Sequence, residues 1–165
     1  MRVAIFIDGS NLFYTQKNLG WWIDLKKFYE HSQQYGDIVE AIYYTGVGVP
    51  PEARQEKFLD ALTYLGYSIE IKTIKEMIDD DGKTIKKANL DIELVLDMFN
   101  QIDNYDLAIL CSGDGDFERP IKLLRARGKQ FRIYSTQGLV ASELRRAAGA
   151  HYVDFARLRQ ELERV

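Results

Sequence analysis

The chain has 165 residues, with 22 Lys and Arg against 25 Asp and Glu, a formal net charge of −3, and 46% hydrophobic and 12% aromatic residues. That length suits a single domain over residues 1–165 with a sizeable buried core, and the apolar fraction excludes a disordered chain. The one cysteine, Cys111, excludes an internal disulfide framework and a cysteine-rich zinc module, and the two histidines, His31 and His151, are too far apart in sequence to suggest a metal pair.

Residues 3–7 open the chain as a short apolar run that reads as a buried parallel strand rather than a signal peptide. Helical patterning follows over 11–18 and 25–34, then a second strand over 38–44. Pro50-Pro51 stands at the entry of a helix over 52–65, where a missing N–H costs nothing. Residues 68–72 form the third strand, and 46–51 and 79–87 read as loops, the latter around Asp79-Asp80-Asp81-Gly82. A helix over 88–101 leads to a fourth strand over 107–111, a helix over 117–127, a fifth strand over 130–134 and a helix over 140–148. Tyr152-Val153 adds a sixth strand before a charged helix over 155–163. Gly66, Gly128 and Gly149 follow three of the helices, where a left-handed cap favours glycine. Strands alternating with helices make βαβ units, hence a three-layer α/β/α, Rossmannoid architecture with an open, mostly parallel sheet of five to six strands. No stretch approaches the roughly 20 apolar residues that cross a bilayer, so the expectation is a soluble, cytoplasmic protein with no membrane partner.

In such a sheet, ligands bind beyond the carboxyl ends of the strands. The first strand runs into Asp8-Gly9-Ser10-Asn11, and the fourth into Ser112-Gly113-Asp114-Gly115-Asp116. The helix over 88–101 runs antiparallel to the strands, so Asp91 in its first turn returns to the same edge. Asp8, Asp91, Asp114 and Asp116 thus converge on one crevice. Asp91 also heads the stripe Val95, Met98 and Ile102, where a carboxylate is costly unless paired, solvated or bound to metal. Asp97 lies about 240° around the helix from it, off the site.

Each acid has a plainer structural role open to it. Asp8, Ser10 or Asn11 can cap the first helix, Asp116 the helix over 117–127, and Asp91 can answer a helix macrodipole. Four together are harder to explain, since unit charges about 4 Å apart repel by roughly 4 kcal/mol at an effective dielectric near 20. Hard oxygen donors without Cys or His select one or two Mg²⁺ or Mn²⁺ ions, whose usual work is to activate water and stabilise charge on a phosphoryl centre. Ser10, Ser112 and Cys111 have no evident histidine partner for nucleophilic catalysis. No P-loop follows the first strand. An aspartyl-phosphatase scheme wants a second acid at position 10, which is Ser.

Charge is divided along the chain: residues 1–118 carry 11 basic and 21 acidic side chains, residues 119–165 carry 11 and 4. An acidic centre beside a basic shelf suits a polyanion held near metal ions. Lys86, Lys87, Arg119, Lys122, Arg125 and Arg145 are candidates for phosphate contacts, each with an ordinary solvated role as the alternative.

Ile5-Phe6-Ile7-Asp8-Gly9-Ser10-Asn11-Leu12, taken with Leu110-Cys111-Ser112-Gly113-Asp114-Gly115-Asp116-Phe117, resembles the NYN domain of the PIN-like nuclease superfamily, and within it the bacterial LabA-like (DUF88) branch. Lys86-Lys87-Ala88-Asn89-Leu90-Asp91 resembles that branch's Lys-x-Val-Asp element, with Leu in the Val slot. Ser142-Glu143-Leu144 with Ala147-Ala148 is similar to a late Ser-x-x-Leu element. Gly115 stands where the family often has Ser, and Gly149 where many relatives carry Asp. The resemblance implies a metal-dependent ribonuclease, with Asp8, Asp91, Asp114 and Asp116 as catalytic, metal-binding acids, Asn11 and Ser10 as polar neighbours and Ser112 as the small hydroxyl near the site. RNA, single-stranded or locally unpaired, is the expected substrate. The alternative is a non-catalytic regulator that binds RNA or a protein, since some LabA-like members are discussed in that role. Aromatics among Trp21, Trp22, Tyr43, Tyr44, Tyr64 and Tyr67 offer a homodimer interface if exposed, although such residues more often lie in the core.

Overall fold

Strands β1 (Arg2–Asp8), β2 (Asp37–Val47), β3 (Ser68–Thr73), β4 (Lys75–Ile78), β5 (Thr84–Lys87), β6 (Leu107–Cys111), β7 (Gln130–Ser135) and β8 (Tyr152–Asp154) are interspersed with helices. These are α1 (Gly9–Leu19), α2 (Leu25–Ser32), α3 (Ala53–Leu65), α4 (Asp91–Asn100), α5 (Glu118–Ala126), α6 (Ser142–Ala148) and α7 (Arg159–Leu162). The computed structural model describes the backbone of residues 1–165 and the side chains of all but 85–87. Six strands form one sheet in the order β3-β2-β1-β6-β7-β8, every neighbouring pair parallel. The order grows outward from β1 in both directions, so the winding reverses between β1 and β6. That reversal opens a crevice at the carboxyl ends of those two strands.

The period of two along each strand explains the layering. Val3, Ile5 and Ile7 pack with Leu12, Leu25, Phe28, Leu62 and Leu162, while Ala4 and Phe6 pack with Leu94, Met98, Ile121, Leu124 and Leu144. Helices α1, α2, α3 and α7 therefore cover one face and α4, α5 and α6 the other. Both faces of β1 and β6 are buried, which is why their sequences are continuous apolar runs rather than alternating ones. Each fully buried Leu, Ile or Phe contributes about 1.5–3 kcal/mol of burial free energy. Among the described residues, no helix is long and apolar enough to cross a membrane.

Three features differ from the sequence reading. The region expected as a loop over 79–87 is the tip and second strand of an antiparallel β4–β5 hairpin. Every side chain of β4 is exposed, so no apolar face marks it as a strand. The Asp79 carboxylate closes the turn instead, accepting from Asp81 N at 3.0 Å and Lys83 N at 2.7 Å. The C-terminal helix expected over 155–163 divides into a 3₁₀ turn, Phe155–Leu158, capped by Asp154, and α7. Of the six aromatics weighed for a homodimer interface, Trp21, Tyr43, Tyr44 and Tyr67 belong to the core, and Trp22 and Tyr64 are exposed.

Candidate metal centre

Asp8 ends β1 and begins α1. Its Oδ1 accepts from Asn11 N at 3.2 Å and its Oδ2 from Ser112 Oγ at 3.0 Å. Asn11 Oδ1 in turn accepts from Gly113 N at 2.9 Å. These bonds tie the β1–α1 junction to the loop after β6 across the winding reversal. The same loop is ordered from within: Asp114 N donates to Ser112 Oγ at 3.2 Å and Asp116 N to Asp114 Oδ1 at 2.9 Å.

Asp91 arrives from the opposite layer. Its N–H donates to Asn89 Oδ1 at 2.8 Å. The helix it heads is anchored to the sheet one turn and a half further on, where Tyr44 Oη donates to Asp97 Oδ2 at 2.7 Å. Asp97 is therefore a structural partner of the sheet, as its position around the helix suggested. Burial, followed by the Asp97 bond, pushes the Tyr44 phenol well above its ordinary range.

Asp91, Asp114 and Asp116 each present a carboxylate oxygen, and these three oxygens lie within 4.8 Å of one another. Asp8 stands beside them in a cleft of about 200 Å³ that Ser10, Asn11, Asp91 and Asp114 also line. Burial raises the Asp8 carboxyl above its ordinary range; the Asn11 and Ser112 donors oppose that rise and the charge of Asp114 adds to it. Asp91 is pushed up to about 7 by burial first, then by the Asp8 charge, a hydrogen bond to Asp114, and the charges of Asp114 and Asp116. A carboxyl that holds its proton near neutrality against three other acids marks a place where positive charge is wanted.

The capping alternatives account for part of this arrangement. Asp8 and Asp114 do cap, each with one oxygen. Asp116 does not cap α5, whose cap residue is Phe117, with no side-chain cap bond. Asp91 begins α4, where its charge can answer the helix macrodipole; the cap residue there is Leu90, also without a side-chain cap bond. The donor set is all carboxylate and amide oxygen, which fits Mg²⁺ or Mn²⁺ and not zinc or copper. Cys111, at the end of β6, is buried away from solvent, and burial pushes its thiol well up.

Ser112 is buried beneath the acids and Ser10 is exposed at the rim of the cleft. Arg119 is exposed in the first turn of α5, three residues past Asp116. Of the other cations considered for phosphate, Lys122 pairs with Glu118 at 2.7 Å, Arg125 donates to Ala147 O at 2.8 Å, and the Arg145 guanidinium lies 4.4 Å from the Tyr152 ring centroid. Lys86 and Lys87 fall outside the described side chains. Sequence reasoning missed Tyr14, Thr45 and Asn89, which line the cleft. Tyr14 follows Ser10 and Asn11 by one helical turn, so the helix period alone could have found it. It also missed Glu143, whose carboxylate fills the space a side chain at Gly115 would take. Only the packing of α6 against that loop reveals this contact.

The raised Asp91 sets a pH dependence. With its folded value near 7 against an ordinary 3.8, this group's contribution to stability is complete below the ordinary carboxylate range and is lost as pH rises through about 7. In EDTA, Asp91→Asn should therefore melt a few degrees above the parent at pH 8, and the gap should close towards pH 4. Added Mg²⁺ should stabilise the parent and not the variant. Melting curves across that range check this, and a gap independent of pH contradicts the clustering of charge on Asp91.

Comparison with known proteins bears on the family and the fold. The profile of the NYN domain matches residues 2–159. The low amplitude and bright protein LabA of Synechococcus elongatus is 43% identical over 168 aligned residues, covering 99% of this chain and 89% of that protein. The crystal structure of a protein of unknown function from Vibrio parahaemolyticus superposes with a TM-score of 0.77 at 23% identity, over 93% of this chain and 91% of the other, and supports the fold.

Proposed function

The chain belongs to the NYN domain family, and from that premise we propose that it is a cytoplasmic, metal-dependent ribonuclease that hydrolyses phosphodiester bonds of single-stranded RNA. The observation that carries this reading is the meeting of Asp91, Asp114 and Asp116 within 4.8 Å, with Asp8 alongside. These four acids would hold one or two Mg²⁺ or Mn²⁺ ions. When bound, such an ion supplies a Lewis acid for the phosphoryl group and acidifies water to a nucleophile at neutral pH.

The chain's own groups do the positioning. Ser112 and the Asn11 N–H hold the two Asp8 oxygens in fixed directions, so Asp8 meets its ligand without reorganising. Asn11 Oδ1 accepts from Gly113 N and thereby sets the distance between Asp8 and the acids after β6. Arg119, Lys86 and Lys87 are the cations we assign to backbone phosphates, and Ser10 to a contact at the cleft's rim.

The test is cleavage of a labelled single-stranded RNA with Mn²⁺ or Mg²⁺, beside an EDTA control and Asp8→Asn. Cutting that needs metal and is lost in the variant is expected; Asn retains the helix cap, so the variant should melt no lower than the parent. Retained cutting by Asp8→Asn would overturn the site assignment. The second reading, a regulator that binds RNA or protein without cutting it, is favoured by the likeness to LabA, whose name describes no reaction. Metal binding with no cleavage is the result that selects it.

A further inference from the structure

Helix α1 and the residues just after it present three large aromatic groups to solvent, one of them, Tyr14, at the acidic cleft. Phe13 is 41% exposed and Tyr14 59%, and Trp22, just past the helix, is 50% exposed. Their rings form a row: the Phe13 centroid lies 5.6 Å from that of Tyr14 and 6.0 Å from that of Trp22. The Lys17 ammonium sits 4.6 Å from the centre of the Phe13 ring. A contiguous exposed aromatic patch is unfavourable in water and marks a contact surface.

The backbone under this row is fixed. Gly20 closes α1 in the left-handed conformation at φ 77°, which turns Trp21 into the core and leaves Trp22 outside. Arg164 N donates to Trp22 O at 2.8 Å, and Ile23 N to Gln16 Oε1 at 2.8 Å. The backbone that carries Trp22 is therefore held in place before anything binds.

Tyr14 belongs both to this row and to the lining of the acidic cleft. On the nuclease reading given above, on which this inference rests, a phosphate lies in that cleft, and the base attached to it has the Tyr14 ring as its neighbour. We propose that Tyr14 and Trp22, with Phe13 as the buttress between them, form a stacking ledge for unpaired bases of the RNA, and that Lys17 meets a backbone phosphate on the same strand. An unpaired strand offers what this surface fits, flat faces joined by phosphates; a duplex keeps its bases stacked inside. Stacking is indifferent to base identity, so the ledge confers a preference for single strands rather than for a sequence.

The test uses the full chain carrying Asp114→Asn and Asp116→Asn, so that binding is read without cutting. Titration with a ten-nucleotide single-stranded oligoadenylate should quench tryptophan emission. Adding Tyr14→Ala should weaken binding about ten-fold, the scale of one lost base stack, while Tyr14→Phe should bind as before. An abasic oligomer of the same length should bind weakly and show no response to Tyr14→Ala. A loss of less than two-fold in Tyr14→Ala, or no binding of the oligoadenylate at all, overturns the ledge. So does a shift from dimer to monomer in Tyr14→Ala with RNA affinity unchanged, which would make a second copy the occupant. If RNA binds on the ledge but the unsubstituted protein cuts nothing, the nuclease reading fails and the ledge stands. If it cuts and Tyr14→Ala binds and cuts as before, the reverse holds.

Discussion

Replacing Asp114 and Asp116 together by Asn is expected to lower Mn²⁺-dependent RNA cleavage by at least about 100-fold, the scale on which a preorganised electrostatic site registers the loss of one of its groups. Two of the three oxygens that lie within 4.8 Å of one another come from these residues, and a neutral amide carbonyl is a poor substitute for a carboxylate towards a hard cation. The fold should not suffer. Asn serves as well as Asp in accepting the Asp116 N–H bond now made by Asp114, and two fewer charges relieve the repulsion on Asp91. The metal-free variant should therefore melt at or above the parent temperature at pH 8. Single-turnover cleavage and melting curves on one preparation decide the matter. Cleavage within ten-fold of the parent would remove these acids from the catalytic assignment, and a collapse in melting temperature would show their role to be structural.

Gly9→Ala should damage both the fold and the site, although Gly9 has no side chain to offer a metal or a substrate. Helix propensity favours the change, since Ala exceeds Gly by about 1 kcal/mol in a helix. Packing opposes it: a Cβ at position 9 would lie 2.5 Å from Tyr44 O and 2.8 Å from two carbons of the Tyr43 ring. Tyr44 is paired to Asp97 through its hydroxyl and is 2% exposed, so it has no room to retreat. Overpacking of this kind costs about 1–3 kcal/mol, which exceeds the propensity gain over most of that range. α1 must then move off the sheet and carry Asp8 with it. A displacement near 1 Å in a catalytic group can cost about 100-fold in rate. The expected result is a melting temperature lower by several degrees, about 2–4 °C per kcal/mol for a chain of this size, and cleavage reduced by one to two orders of magnitude. A variant that melts above the parent would show that propensity wins and that the β1–α1 junction has slack.

The alternation of short apolar runs with helical segments determined, from sequence alone, the layers and the edge on which function sits. Buried parallel strands need apolar residues on both faces, and β1 and β6 carry that signature. Because each strand's end is fixed by where its apolar run stops, Asp8 and Asp114 were placed at the carboxyl edge by sequence, and Asp91 by the reversal of chain direction in the helix ahead of β6. The β4–β5 hairpin was not legible, because its first strand buries nothing and leaves no hydrophobic pattern. Trp21 and Trp22 could not be told apart either: adjacent and identical, they are sent to core and solvent by the left-handed turn at Gly20 and the pairing of Ile23 with Glu163. What tertiary structure alone decided is distance. Which acids cap, how close Asp91 comes to Asp114, and that Tyr14 borders the cleft all depend on packing between layers remote in sequence. Local patterning constrains direction along an element, whereas separations of a few ångströms between elements are set by side chains interlocking across the core.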